Sequence, residues 1–365
     1  MRGIPRICAV LAAVVVTATA CGSAGSTNGA SSGSSGSGAG SSQGCVAPST
    51  VVFADNHPIN VLAVRPVAQG IDAFGELEKQ CHTTVKVVEY GNGGEIMNAL
   101  VGGQADIGDS SASSFAKVEA QGKSMQIVFS AFLGGGGVLI ARKQYQASRG
   151  TDIAKFTGST WGYPDASGAC AFFDQSIAEH AGINWAHQAQ VAFGANSAAP
   201  VTLASGRADI LCTDPTTAAA AVAAGTAYVV FNTNDRATTV PIMGLQLGGV
   251  YGMNKSFVDE YPVLAQLLVD AFLKSLKAIQ AVSSDPAKVL ALFPQADQGP
   301  LEQGWDQSWP LAAPAITADT GAMPPQAIDD TLAFDQKFGL VTAAQATAAR
   351  SMFNNTFIDK AIQAN

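Results

Sequence analysis

Shifted by 103 residues, one stretch of this chain falls on another without a gap. Val88 lands on Val191, Gly91 on Gly194, Leu100 on Leu203 and Gly103 on Gly206. Ala105-Asp106-Ile107 lands on Ala208-Asp209-Ile210, and Ala116, Ala120 and Gly122 land on Ala219, Ala223 and Gly225. Ten of the 35 positions 88–122 are identical. A composition rich in Ala and Gly raises chance matches, but what recurs here is punctuation: strand-like run, Gly turn, helical run, Gly, Ala-Asp-Ile, helical run. Alternating strands and helices favour a parallel sheet in an α/β fold, and two copies imply two similar lobes. In open sheets of this kind ligands bind beyond the carboxyl ends of the strands, where helices begin. Two facing lobes therefore put helix N-termini on opposite walls of one cleft.

Ahead of the repeat, Val51-Val52-Phe53 reads as a strand, followed by the loop Asp55-Asn56-His57-Pro58. Proline is tolerated near a helix start, so the first helix is expected from Pro66 to about Gln80. Residues 85–90 form the next strand. Gly91-Asn92-Gly93-Gly94 then opens a helix that ends near Gly102-Gly103, before a short strand at residues 105–107 and a helix at 110–120.

The N-terminus has the layout of a secretory signal. Arg2 and Arg6 precede an apolar run at residues 7–16, and Thr17-Ala18-Thr19-Ala20 leads into Cys21. The run is too short to span a membrane. A cysteine there, followed by Gly22-Ser23, resembles a bacterial lipobox, with Ala18 where Leu is usual. That resemblance implies cleavage after residue 20 and acylation of Cys21. Residues 22–44 contain only Gly, Ser, Ala, Thr, Asn and Gln. Such a segment cannot bury enough apolar surface to offset the entropy of ordering and is expected to be a flexible tether, with a reach of roughly 25 Å.

The formal net charge of −8 argues against nucleic acid or an anionic membrane surface as the main partner. With 47% hydrophobic and 13% charged residues, the remainder reads as a well-buried globular protein. Cys45, Cys81, Cys170 and Cys212 remain after the leader and anchor, an even number that suits disulfides in an oxidising compartment. There is no C-x-x-C and no histidine pair at metal-ligand spacing, so neither a metal nor a cofactor is expected.

The order of several motifs resembles the extracytoplasmic solute-binding proteins of ABC importers in the nitrate, sulfonate, taurine and thiamine-pyrimidine group. The motifs are Gly91-Asn92-Gly93-Gly94-Glu95, Leu100-Val101-Gly102-Gly103-Gln104-Ala105-Asp106-Ile107, Trp161-Gly162-Tyr163-Pro164, Ser205-Gly206-Arg207-Ala208-Asp209-Ile210, Asp214-Pro215, and Gly252-Met253-Asn254-Lys255-Ser256-Phe257 before Tyr261-Pro262. The resemblance implies a two-lobed α/β fold of the periplasmic-binding-protein type II, with a hinge and an interlobe cleft. Lobe I comprises residues 45–138 and 247–365, and lobe II residues 139–246, after a signal peptide at 1–20 and a lipidated tether at 21–44. The crossings fall near residues 136–142 and 248–253. The implied function is capture of a small, anionic, sulfonate- or nitrate-like solute by a lipid-anchored monomer outside the cell membrane, for delivery to an ABC permease. The alternatives are a thiamine-pyrimidine precursor as solute, a ligand sensor outside transport, and a Cys-dependent enzyme.

Six turns are expected to face the cleft: Asn56 and His57; Gly91, Asn92, Gly93 and Gly94; Asp109, Ser110 and Ser111; Asp165, Ala166, Ser167 and Gly168; Asn196 and Ser197; Thr213 and Asp214. Helix starts offer unpaired N–H groups and the positive end of the dipole, which suit an anion. The competing reading for each is N-capping of its own helix. Arg65, before Pro66, is expected at the surface with the cleft as the alternative. Tyr90, Phe132 and Tyr163 are candidates for an aromatic wall. In a 2-1-3 strand order Cys45 and Cys81 lie together at the end remote from the cleft, while Cys170 and Cys212 lie beside the ligand. We favour Cys45–Cys81 and Cys170–Cys212 among the three pairings that four cysteines allow. An enzyme would need Cys170 at its helix start as a nucleophile, but G-x-S-x-G, H-E-x-x-H and P-loop motifs are absent.

Overall fold

The computed structural model describes residues 44–56, 64–166, 168–302, 304–316 and 319–364. The leader, Cys21, the tether up to residue 43, His57 and Ser167 lie outside the described residues.

The chain begins with β1 (Thr50–Asn56), α1 (Val64–Gly70), α2 (Ala73–Cys81), β2 (Thr84–Tyr90), α3 (Gly93–Val101), β3 (Ile107–Ser110), α4 (Ala112–Glu119) and β4 (Met125–Phe132). There follow β5 (Val138–Arg142), α5 (Gln146–Arg149), β6 (Thr160–Tyr163), α6 (Ala169–His180), β7 (Ala189–Ala192), α7 (Ala199–Ala204), β8 (Ile210–Thr213), α8 (Pro215–Ala223), β9 (Ala227–Asn232) and α9 (Arg236–Met243). β10 (Gly249–Asn254) returns the chain to the first sheet. Helices α10 (Lys255–Glu260), α11 (Pro262–Val282), α12 (Pro286–Leu290), α13 (Gln295–Glu302), α14 (Trp305–Ile316), α15 (Pro325–Lys337), α16 (Ala343–Ala349) and α17 (Thr356–Ala364) complete it.

The two five-stranded sheets share one plan. Their orders are β2-β1-β3-β10-β4 and β7-β6-β8-β5-β9. In each, three strands run parallel, and the fourth in the row is antiparallel to both its neighbours. This is the two-lobed α/β arrangement expected. The 103-residue shift carries β3 onto β8 end for end and the start of α4 onto the start of α8. The shared Ala-Asp-Ile has a structural cause. Asp106 accepts a hydrogen bond from the Val52 N–H at 2.8 Å, and Asp209 accepts one from the Thr160 N–H at 2.9 Å. Each carboxylate thus ties the third strand of its lobe to the first and sets the register.

Aromatic residues centre both cores. Tyr251 lies 5.2 Å from Phe53 and 4.6 Å from Phe272 of α11, between ring centroids. In the second lobe Trp161 meets Trp185 at 5.5 Å and Phe156 at 6.5 Å. Two C-terminal helices touch both lobes. The Leu311 carbonyl on α14 accepts hydrogen bonds from the Asn232 and Asn234 side chains at 3.0 and 3.1 Å. On α15, Leu332 joins the first lobe's core, while Phe334 packs 5.8 Å from Phe173 in the second.

The chain crosses between sheets at residues 133–137 and 244–248, slightly ahead of the expected positions because β5 and β10 already begin at Val138 and Gly249. The crossings lie against each other. The Gly134 N–H donates to the Gln246 carbonyl at 2.9 Å, and a Cβ on Gly248 would sit 1.9 Å from the Gly134 carbonyl oxygen. No other residue fits there without moving a backbone.

Two local expectations fail. The helix expected over residues 66–80 is split at Ile71-Asp72, where Asp72 is left-handed with φ 54°. Gly70, a weak helix former, ends α1 there. Arg65 is neither at the surface nor in the cleft. Only 2% exposed, it forms a buried ion pair with Asp55 and donates to Gln69 at 2.5 Å.

The cysteines form the bonds Cys45–Cys81 and Cys170–Cys212. No helix among the described residues is long and apolar enough to cross a membrane.

Candidate ligand-binding site

A cavity of about 140 Å³ opens where the two lobes meet. From the first lobe come Asn92 and Gly93 at the start of α3, Asp109 and Ser110 at the end of β3, Ser111 and Ser114 at the start of α4, and Phe132 at the end of β4. The second lobe contributes Pro164 and Asp165 after β6, Gly168, Ala169 and Cys170 at the start of α6, then Asn196, Thr213 and Asp214. Glycines 135, 136 and 137 of the first crossing line it, together with Gly248 and Gly249 of the return. This follows from topology. Every parallel strand ends at the same edge of its sheet, and the crossings place those edges face to face.

Ten of the residues expected in the cleft are brought together: Asn92, Gly93, Asp109, Ser110, Ser111, Asp165, Gly168, Asn196, Thr213 and Asp214. Asn56, Gly91, Gly94, Ala166 and Ser197 do not line the cavity. Asn56 ends β1, Gly94 lies within the first turn of α3, and Ser197 lies inside a 3₁₀ turn at Asn196–Ala198. Of the three aromatic candidates, only Phe132 is in the lining. Tyr163 is buried, its hydroxyl 3.1 Å from the Gln190 side-chain oxygen, and Tyr90 packs on the first lobe's core. Phe132 and Cys170 were expected, as a wall aromatic and as part of a disulfide beside the ligand, whereas Ser114, Pro164 and the crossing glycines are additions from the structure. Their only sequence signal is the run Gly134-Gly135-Gly136-Gly137 and the pair Gly248-Gly249, where close backbone approach is to be expected.

Capping explains part of the polar lining. Asn92 caps α3 by accepting from the Glu95 N–H at 3.0 Å, and Glu95 returns the favour to the Gly91 N–H at 2.9 Å. Ser111 accepts from the Ser114 N–H at 3.2 Å. Asp214 accepts from both the N–H and the hydroxyl of Thr217, at 2.9 and 2.6 Å. Across the second wall, the Thr213 hydroxyl donates to the Asn196 side chain at 3.2 Å. Gly168, the N-cap of α6, has no side chain with which to do the same.

The electrostatics run opposite to an anion site built on cationic side chains. Asp109, Asp165 and Asp214 line the cavity, and no Lys, Arg or His does among the described residues. Burial pushes the Asp214 carboxyl up, partly countered by the Thr217 hydrogen bonds. Behind Asp109, the buried Tyr251 phenol is pushed well up by desolvation, then by the charges of Asp109 and Asp55, so it stays neutral. Cys170 shares its sulfur with Cys212 and so has no thiolate to offer. No metal-binding group of three His, Cys, Asp or Glu forms among the described residues.

No family model and no curated protein matches the chain. Solved structures do. A protein from Bordetella bronchiseptica aligns with TM-score 0.72 at 16% identity, covering 87% of this chain and 98% of its own. The zinc-bound ligand-binding component of an ABC-type import system from Staphylococcus aureus aligns with TM-score 0.68 at 14% identity, covering 86% and 99%. The periplasmic nitrate-binding protein of Synechocystis aligns with TM-score 0.68 at 13% identity, covering 87% and 89%. At such identities the likeness establishes the fold: two α/β lobes in the type II arrangement of periplasmic binding proteins.

Proposed function

We propose that this chain is the extracytoplasmic substrate-binding component of an ABC importer, exported, lipid-anchored through Cys21, and working by capture of a small solute between its lobes for delivery to a permease. The observation that carries the reading is the interlobe cavity, lined from both lobes by the starts of α3, α4, α6 and α8 and floored by the crossings. A ligand touching both walls stabilises the closed arrangement by contacts that an open one lacks. The 23 residues between Cys21 and Cys45 supply the reach to a membrane partner. The similar proteins from Staphylococcus aureus and Synechocystis, an import-system component and a nitrate-binding protein, agree with this class.

The lining favours a solute that presents N–H or O–H donors over the nitrate- or sulfonate-like anion suggested by the resemblance. Three aspartates and no cationic side chain line the cavity among the described residues, and an anion would rest on helix N–H groups, some already engaged by Asn92, Ser111 and Asp214. The Cys-dependent alternative lacks its nucleophile, because Cys170 is bonded to Cys212.

A thermal-shift panel tests this: nitrate and alkanesulfonates, which carry no donor, against small amines, amino alcohols and formylaminopyrimidines, which do. A true solute at a hundred times its dissociation constant stabilises by about 2.7 kcal/mol. We expect the shift among donor-bearing solutes. A shift with nitrate or a sulfonate alone overturns the polarity argument, and silence across the panel overturns the receptor reading.

A further inference from the structure

We propose that the Cys170–Cys212 disulfide positions the wall of the ligand cavity, taking at α6 the place that side-chain caps hold at the other helix starts. This rests on the receptor reading of the cavity. Four labelled helices begin at its rim. Asn92, Ser111 and Asp214 each anchor their own helix by accepting an N–H from its first turn. At α6 the N-cap is Gly168, which has no such side chain. Two residues on, Cys170 is bonded to Cys212, one residue before Thr213 at the end of β8. Both Cys170 and Thr213 line the cavity. The bond therefore fixes the start of α6 to the strand whose end forms the neighbouring stretch of wall.

The same sulfurs support the first crossing. A Cβ on Gly137 would meet Cys212 Sγ at 2.6 Å and Cys170 Sγ at 3.3 Å, so the crossing backbone lies directly on the disulfide. Gly137 is held from its other side by Thr233, whose hydroxyl accepts from its N–H at 2.9 Å and donates to its carbonyl at 2.6 Å. Helix start, strand end and crossing meet at one covalent joint. Cys45–Cys81 has no such neighbours: it precedes β1 and β2, at the opposite ends of the strands from the cavity.

Hydrogen–deuterium exchange read by mass spectrometry tests the assignment without any solute. In Cys170→Ala/Cys212→Ala, amides of residues 168–173 and 134–138 should exchange at least about tenfold faster, while residues 91–97 and 109–115 stay within about twofold of the wild type. Cys45→Ala/Cys81→Ala should leave all four segments within that limit, both variants being read on amides that exchange by local opening and not on those that follow global unfolding. Adding Gly168→Ser to the first variant supplies a cap once the Asp165 side chain gives way, since a Cβ there would meet its Oδ2 at 2.6 Å, and should restore protection at 168–173. If the double variant does not fold, the same readout is taken on folded wild type treated with a phosphine. The phosphine and one water molecule convert the disulfide to two thiols and the phosphine oxide, the water giving its oxygen to phosphorus and its protons to the sulfurs, and the thiols are capped with iodoacetamide. The proposal fails if residues 168–173 are unmoved, if exchange rises equally throughout the chain, or if the serine cap rescues nothing. No solute enters the measurement, so its failure leaves the receptor reading standing, and a silent solute panel leaves this result standing.

Discussion

In the first lobe a disulfide joins the chain ahead of β1 to the chain ahead of β2, at the end of the sheet away from the cavity. The second lobe repeats the strand order but carries its disulfide at the cavity edge, between α6 and β8. One plan, stapled at opposite ends, separates two tasks that a disulfide can perform. Crosslinking narrows the unfolded ensemble wherever it sits, and the loops closed are similar, with separations of 36 and 42 residues. Position alone decides whether it also shapes a binding wall.

The largest effect expected is on global stability. Chain-entropy reasoning gives each disulfide about 4 kcal/mol, so the two double alanine variants should lose similar amounts in urea titrations. Markedly unequal losses would break the comparison by showing that the second bond also relieves or imposes strain at the crossing.

Next comes the joint between lobes. Asp335 lies on α15, beside Phe334, which packs on Phe173 of the second lobe, and it meets Ser113 of α4 in the first. Burial raises its carboxyl from 3.8 to about 7, Ser113 pulls it back only in part, and neither oxygen completes a well-formed hydrogen bond. The folded state thus holds this proton more tightly than the unfolded one. Its stabilising contribution is whole below about pH 4, declines as pH rises, and is gone above about pH 7. Asp335→Asn should flatten that decline and raise stability at about pH 8 by on the order of 3 kcal/mol, read by denaturant unfolding across pH. Asp319, raised to about 6, keeps a smaller slope in the same window. An unchanged profile would mean that the joint opens to solvent.

The smallest effect belongs to the first lobe's caps. Ser111→Ala removes the acceptor for the Ser114 N–H and should cost about 1 kcal/mol, with faster exchange confined to the start of α4. A loss spreading to α6 would show that the two walls do not hold their helices independently.

Much of the cavity was legible because its residues are local signals. Asn92, Ser111 and Asp214 stand where a strand ends and a helix starts, and that boundary is written in a few consecutive residues. Gly94 and Ser197 were misplaced for the same reason. A turn is readable from sequence, but which of its residues faces inward depends on the packing of the helix. Phe132 was one aromatic among three candidates, and only the crossings single it out. Its ring would touch a Cβ on Gly136 at 2.9 Å and one on Gly249 at 2.0 Å, positions 113 residues apart in the chain.

By itself, then, the sequence determined the repeated strand–helix order and the helix starts that rim the cavity, since each depends on neighbours within a few residues, whereas the partners of Asp106 and Asp209 lie 54 and 49 residues away and came from the fold. Tertiary structure alone decided the pairing of Arg65 with Asp55, the glycine contact between the crossings, and the bracing of both lobes by α14 and α15. It also set the polarity of the cavity wall, because Asp109 of the first sheet joins Asp165 and Asp214 of the second only when the two sheets face each other. Helix ends suited to an anion and carboxylates suited to hydrogen-bond donors are both written in the chain. The presence of Asp109, Asp165 and Asp214 in the lining, with no cationic side chain there among the described residues, is what the proposed donor-bearing solute rests on.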